Sequence, residues 1–343
     1  LGTVFMKFGA SLPPCDWKTK DAFAAMDIAG YNYGNWRYRK DAGKYPKRLI
    51  LGSETLVGDA YDFWETAKEI PQIVGDFVWA AWDYIGECGD GSPEFADYTG
   101  ENPEDRVRGG TNRIDMTGKF YPEVDYTRVA FELEKGPKLA VFPVYEKQKP
   151  AMTGWQLTRA MRSWSWPGCD GQETEAEVYA RCSSVEVFVN GQSVGKKSMK
   201  NKCRVTFRVP YHDGEIKAVS YDERGKEIAG DVLRTAGEKT YLRLEPEKAS
   251  CAAGEMVYFR MRYTDENGEG KPMEKHHLKV SAENGTVMGA VNGSCSFKGN
   301  FAQSETPTYF GEAQTIVQAG EAGTLTVTVT DGENTVTKQV VIK

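Results

Sequence analysis

The hydrophobic period of this chain changes once, near residue 137, and that change limits the folds open to it. Ahead of it, short and nearly unbroken apolar runs alternate with helix-compatible stretches. Residues 3–8 (TVFMKF), 27–33 (DIAGYNY), 48–54 (RLILGSE) and 73–84 (IVGDFVWAAWDY) read as strands, and residues 20–26, 35–45 and 59–70 as helices. In the last helix Ala60, Phe63, Trp64 and Ala67 share one face. A polar loop then leads to residues 121–133 (YPEVDYTRVAFEL), where Pro122 suits a first helical turn. Strands this apolar, each returning through a helix, belong in a parallel sheet covered on both faces. Four of them are half of what a closed (β/α)8 TIM barrel needs, so residues 1–137 are expected to be the C-terminal half of such a barrel. An open Rossmann-type sheet is the alternative, but no Gly-x-Gly-x-x-Gly follows any of these runs.

Beyond residue 137 the period shortens to two. In VEVFVNGQSVGKK, Asn190-Gly191 separates two alternating arms, the strongest short-range hairpin signal. SYDERGKEIAG repeats the arrangement around Arg224-Gly225. A connection near residues 235–238 leads into a second strand-rich stretch. The spacing of turns predicts two immunoglobulin-like β-sandwich modules, residues 138–237 and 238–343.

Composition removes several function classes. The chain has 343 residues, more than one hydrophobic core usually spans, and a formal charge of −6 with no basic tract. Nucleic acid and an anionic membrane surface are therefore not the expected partners. No apolar stretch approaches the roughly 18 residues of a membrane span. The seven cysteines include no Cys-x-x-Cys pair and the three histidines leave little for a zinc site, so no metal or cofactor is expected on this chain. Buried free thiols point to a reducing, cytoplasmic compartment. The chain opens on Leu1-Gly2 as though within a longer protein, so a secreted or periplasmic location stays open.

At the C-terminal ends of barrel strands, side chains face the active site. By that rule three successive strand ends offer Asn32 and Tyr33, then Glu54, then Trp79, with Trp82 and Asp83 close behind. A glutamate beside a tyrosine hydroxyl can be held ionised and aimed as a nucleophile. A tryptophan offers an apolar plate for a sugar face, and an amide can bind a ring hydroxyl. The plainer alternatives are a salt-bridged carboxylate at a barrel rim for Glu54 and a core position for Trp79.

DIAGYNY, RLILGSET and GDFVWAAWDYIGE, in this order and at these intervals, resemble the end of the catalytic barrel of glycoside hydrolase family 2, its β-galactosidase branch in particular. SWSWPG (residues 163–168), VEVFVNGQSVGKK and IKAVSYDERGKEIAGDVLRTAG resemble the immunoglobulin-like module that follows that barrel, and YLRLEPEKASCAAGE with the strands after it resembles the last β-sandwich. The resemblance implies a retaining exo-glycosidase acting on terminal β-D-galactosides, with Glu54 as nucleophile and Tyr33 hydrogen-bonded to it. It also implies substrate contacts for Asn32, Trp79 and Asp83. A magnesium or sodium ion in the longer enzyme is compatible with it. The implied partners are a β-galactoside oligosaccharide or glycan, the N-terminal half of the barrel, and other copies of the chain.

Two departures qualify this. Family members carry the general acid/base in an Asn-Glu pair on an earlier strand, and no Asn-Glu dipeptide occurs here. Asp76 and Glu87 lie on or beyond the last strand, where neither can replace it. The fragment alone is therefore expected to be inactive. Secondly, Ser163 stands where related sequences often have histidine. A non-catalytic carbohydrate-binding or scaffold fragment, or a parent specific for a glucuronide or mannoside, are the competing readings. YNYGNW lacks the arginine of the Asn-Arg-Tyr-Tyr stretch found in glucuronidases of this family, which favours a neutral sugar.

Trp155, Trp164, Trp166, Tyr179, Tyr258, Phe259 and Tyr309 are expected in sandwich interiors or at the seam to the barrel, with Trp164 and Trp166 at an interdomain contact. TDENGEG reads as a plain turn, because the twelve-residue calcium-loop spacing is missing.

Overall fold

The computed structural model describes residues 2–83, 113–146, 155–294, 297 and 299–343. Its first part holds helices α1 (Gly2–Ser11) and α2 (Pro13–Ala24), strand β1 (Ile28–Asn32), helix α3 (Tyr38–Lys44), strand β2 (Leu49–Leu56), helix α4 (Ala60–Glu69), strand β3 (Ile73–Trp79) and helix α5 (Pro122–Ala130). The strands form one parallel sheet in the order β1-β2-β3.

One expectation needs correction. Residues 3–8 are not a strand but lie within α1, so the described sheet has three strands rather than four. The run mixes its apolar residues with Lys7, whose Nζ sits 2.6 Å from Asp59, while Val4, Phe5 and Phe8 stay exposed. β propensity is realised only where a pleated surface buries the side chains, and none does so here.

The other elements overlap their expected runs, though β3 ends at Trp79 rather than residue 84 and α2 begins at Pro13 rather than residue 20. Ala60 and Phe63 of α4 are buried as periodicity requires. Pro122 occupies the first turn of α5, where its missing N–H costs nothing. The sheet's own core joins Ala29, Tyr31, Tyr38, Ile50, Phe63 and Ile70.

The next module consists of β4 (Lys138–Val141), β5 (Glu173–Tyr179), β6 (Ser184–Val189), β7 (Gln192–Ser198), β8 (Arg204–Pro210), β9 (Glu215–Tyr221) and β10 (Glu227–Arg234). They form sheets ordered β4-β5-β8 and β10-β9-β6-β7. Asn190 and Gly191 both have positive φ, 48° and 80°, as a type I′ hairpin turn demands. Trp164 and Trp166 are buried in the module's core, packed with Val178, Phe207 and Tyr211, and Trp164 also lines a cavity shared with residues 115–122 and 269–272.

The last module comprises β11 (Tyr241–Pro246), β12 (Ser250–Cys251), β13 (Met256–Thr264), β14 (His277–Glu283), β15 (Gly285–Val291), β16 (Glu305–Pro307), β17 (Glu312–Ala319), β18 (Gly323–Thr330) and β19 (Thr335–Ile342). Its sheets run β11-β13-β17-β15 and β12-β19-β18-β14-β16 around a core that includes Phe259, Val317 and Val329. Residues 265–269 close as a turn, with Asp265 Oδ1 accepting from the N–H groups of Asn267 and Glu269.

The parallel-sheet part is fastened to both sandwiches. Val57, Ala60, Tyr126 and Val129 share a core with Ala140, Tyr179 and Cys203 of the first. Arg181 reaches back from that module: its Nε donates to Val129 O at 2.8 Å, its Nη2 donates to Ala130 O, and its Nη1 lies 2.8 Å from Glu65. It thereby caps the C-terminus of α5, where carbonyls lack intrahelical partners. The 113–121 segment meets the second sandwich, Gln314 Nε2 donating to Thr117 O at 2.9 Å.

Candidate active site

The apolar run of β2 breaks at Gly52-Ser53-Glu54, and the pairing explains why. On one side Tyr31 pairs with Gly52 and Asn32 with Glu54, so the register slips by one residue at Ser53. On the other side Gly52 pairs with Asp76 and Thr55 with Val78, again with one residue extra on β2. An inserted residue of this kind bends the strand and re-aims the side chain beside it. Gly52 has no room for more than hydrogen, since a Cβ there would lie 2.2 Å from Asp76 Oδ1.

Glu54 emerges at the end of the sheet where the parallel strands finish, level with Asn32 at the close of β1. Both carboxylate oxygens are held. Tyr33 Oη donates to Oε1, and Asn32 Nδ2 donates to Oε2 at 2.8 Å. Tyr33 has φ 53°, a left-handed conformation uncommon for a bulky residue, and its N–H donates to Glu54 O at 2.7 Å. Burial pushes the Glu54 carboxyl above the usual carboxylate range. The two donors act in the opposite sense, because only the ionised form accepts both bonds fully.

Two supporting residues were not among the expected site residues. Ser53 Oγ donates to Asn32 Oδ1 at 2.8 Å, which turns the Asn32 amide so that Nδ2 faces Glu54. Trp155 Nε1 donates to Tyr33 Oη at 2.7 Å, from a point 122 residues further along the chain. Ser53 could have been found from the broken apolar run. Trp155 stood out only as a seam aromatic, and sequence spacing held no sign of its partner.

Trp79 closes β3 beside Leu56, at the same end of the sheet, and is 40% exposed. Asp83 is buried, and Tyr121 Oη donates to its Oδ2 at 2.9 Å. Asp76 accepts from Thr55 Oγ1 at 2.6 Å, and burial pushes its carboxyl up to about 6. Glu87 lies outside the described residues. The described residues contain no cluster of His, Cys, Asp and Glu fit to hold a metal. None of their helices is long and apolar enough to cross a membrane.

Comparison with known proteins adds the context. A family model described as "Glycoside hydrolase family 2 C-terminal domain 5" matches residues 242–339, and one described as "Domain of unknown function (DUF4982)" matches residues 171–229. Beta-galactosidase BoGH2A of Bacteroides ovatus is 25% identical over 265 residues, covering 75% of this chain and 27% of that protein. A putative beta-glucuronidase of Formosa agariphila is 27% identical over 217 residues, covering 62% of this chain and 18% of that one. Among solved structures, a glycosyl hydrolase family 2 member from Bacteroides cellulosilyticus superposes with a TM-score of 0.80 at 25% identity, covering 94% of this chain and 42% of that one. The chain thus spans less than half the length of each.

Proposed function

Starting from the chain's membership of glycoside hydrolase family 2, we propose that it carries the nucleophile of a retaining exo-glycosidase that removes terminal β-D-galactosyl units. The observation that carries this is the Glu54 carboxylate at the strand ends with a separate donor on each oxygen. Held so, it presents a lone pair to an anomeric carbon without reorganising. Attack by a Glu54 oxygen on that carbon breaks the glycosidic bond, leaving a covalent glycosyl-enzyme that water then hydrolyses. Trp79 supplies the flat apolar plate for the sugar.

The three parallel strands are read as the last strands of a (β/α)8 barrel. Ile28 on β1 and Val74 and Phe77 on β3 are exposed apolar side chains that further strands would cover. A retaining mechanism needs a second carboxyl about 5–5.5 Å from the first. Asp76 does not serve, being turned to Thr55, and this reading takes the acid/base from an earlier barrel strand, as the family resemblance implies.

The experiment is hydrolysis of an aryl β-galactoside by the full-length protein and by this chain. The full-length protein should turn over and lose at least about 10⁴-fold in kcat on Glu54→Gln, while the chain alone should be inert. Glu54-dependent turnover by the isolated chain would refute the split of the two carboxyls.

The similarity to a putative beta-glucuronidase supports a second reading, a glucuronide substrate. That substrate needs a cation near the sugar carboxylate. The three arginines between β1 and β2 are engaged elsewhere, Arg37 with Asp41 and Asp16, Arg39 with Glu69 and Arg48 with Asp41, which favours the neutral sugar. Comparing kcat/KM for aryl galactoside and aryl glucuronide decides between them.

A further inference from the structure

A groove of about 800 Å3 runs between the segment that follows β3 and the outer face of the β11-β13-β17-β15 sheet. Trp82, three residues past Trp79 and 55% exposed, lines the first wall. Tyr258, Met288 and Phe301 line the other, each exposed, with Gln314 and Arg260 between. The outer face of a sandwich is ordinarily its polar face, yet Tyr258 stands directly across from Ile316 here. A patch of exposed aromatic and apolar side chains interleaved with amide and guanidinium groups has the make-up of a ligand site.

The groove is built rather than incidental. Trp82 bridges to Ile114, and the 113–121 segment is pinned to the sandwich by the Gln314–Thr117 bond and by Lys119 Nζ at 3.0 Å from Glu312. Arg260 binds the same Glu312 at 2.6 Å, so one carboxylate ties both walls. On β15 a Cβ at Gly289 would lie 2.1 Å from Phe301 O, so glycine alone lets that turn lie close enough to bring Phe301 to the rim.

We propose that this groove is a second carbohydrate subsite, taking sugar units of an extended glycan whose terminal residue sits at Glu54. The inference rests on the glycosidase reading. Its occupant follows from three observations: Trp82 on its wall lies three residues along the chain from Trp79 at the strand ends, aromatic faces suit the C–H faces of pyranose rings, and the size falls within the roughly 300–1,000 Å3 of small-ligand sites. It makes the last sandwich part of substrate selection.

The test is calorimetric titration of β-linked galactose oligosaccharides, one to six units long, into the full-length protein carrying Glu54→Gln. Affinity should rise at least about tenfold from the monosaccharide to the longest probes, and Tyr258→Ala or Trp82→Ala should remove most of that rise. Tyr258 is exposed, so its truncation leaves the sandwich core intact, and the thermal transition checks this. An affinity that does not grow with length, or growth that survives both substitutions, overturns the subsite. Failure of the wild-type protein to hydrolyse aryl β-galactosides would instead overturn the catalytic reading, and it is read separately.

Discussion

Trp155 Nε1 lies 2.7 Å from Tyr33 Oη, so one hydroxyl accepts from the indole while donating to Glu54. The bond joins the connection between β4 and β5 of the first sandwich to the strand-end cluster. A hydroxyl that accepts a bond becomes a stronger donor, and its proton is directed at the carboxylate.

Trp155→Phe keeps the ring and removes that donor. In the full-length protein it should lower kcat about tenfold, equivalent to about 1.4 kcal/mol of stabilisation lost from the transition state. Tyr33→Phe should cost more, since it removes a bond to Glu54 itself. Losing a donor to a carboxylate raises its pKa, so the acidic limb of the kcat/KM profile should move to higher pH in Tyr33→Phe. An unmoved limb would separate Tyr33 from Glu54.

Asp76 makes stability depend on pH. Burial lifts its carboxyl from the model-peptide range to about 6, and Oδ2 has no hydrogen-bond partner among the described residues. A carboxyl whose folded pKa lies above its unfolded one binds more protons when folded. Its contribution therefore weakens the fold as pH rises from about 4 through 6. Asp76→Asn keeps an acceptor for Thr55 and removes the ionisation. It should gain on the order of 1–3 kcal/mol over the wild type at pH 7.5, a gain that fades below pH 4. Denaturant titrations of both proteins across that range check it, with other titrating groups cancelling in the difference.

Arg181 is the tie between the first sandwich and the helical layer, donating to Val129 and Ala130 and pairing with Glu65. Arg181→Ala leaves the last carbonyls of α5 without these partners. We expect a loss of about 1–3 kcal/mol and faster proteolysis at the junction, measured by thermal unfolding and limited digestion. Arg181→Lys should recover only part, because a single ammonium cannot reach all three acceptors.

Gly52→Ala would drive a methyl to 2.2 Å from Asp76 Oδ1 and 3.0 Å from Thr55 Oγ1. The Thr55–Asp76 bond must break or the bulge must shift. The expected result is a stability loss of about 1–3 kcal/mol together with impaired turnover in the full-length protein, since the same bulge aims Glu54. Stability loss with intact kcat would mean that Glu54 is aimed by its donors alone.

Much was legible in the chain because it is written in local periodicity. The apolar runs of β1, β2 and β3, the amphipathic face of α4, the proline opening α5 and the Asn190-Gly191 turn each depend on neighbours a few residues apart. So does the placing of Asn32, Tyr33 and Glu54 at strand ends, which needs only the direction of parallel strands. The run at residues 3–8 misled for the same reason. Its composition suits a strand, but a strand exists only where a neighbour accepts its hydrogen bonds, and that is not a local property. Tertiary packing alone decided that Trp155 would reach Tyr33, that Asp83 would turn to Tyr121, and that Trp82 would face Tyr258 across a groove. Those pairs are separated by 38 to 176 residues of chain, and nothing in a sequence sets the distance between side chains that only domain docking brings together.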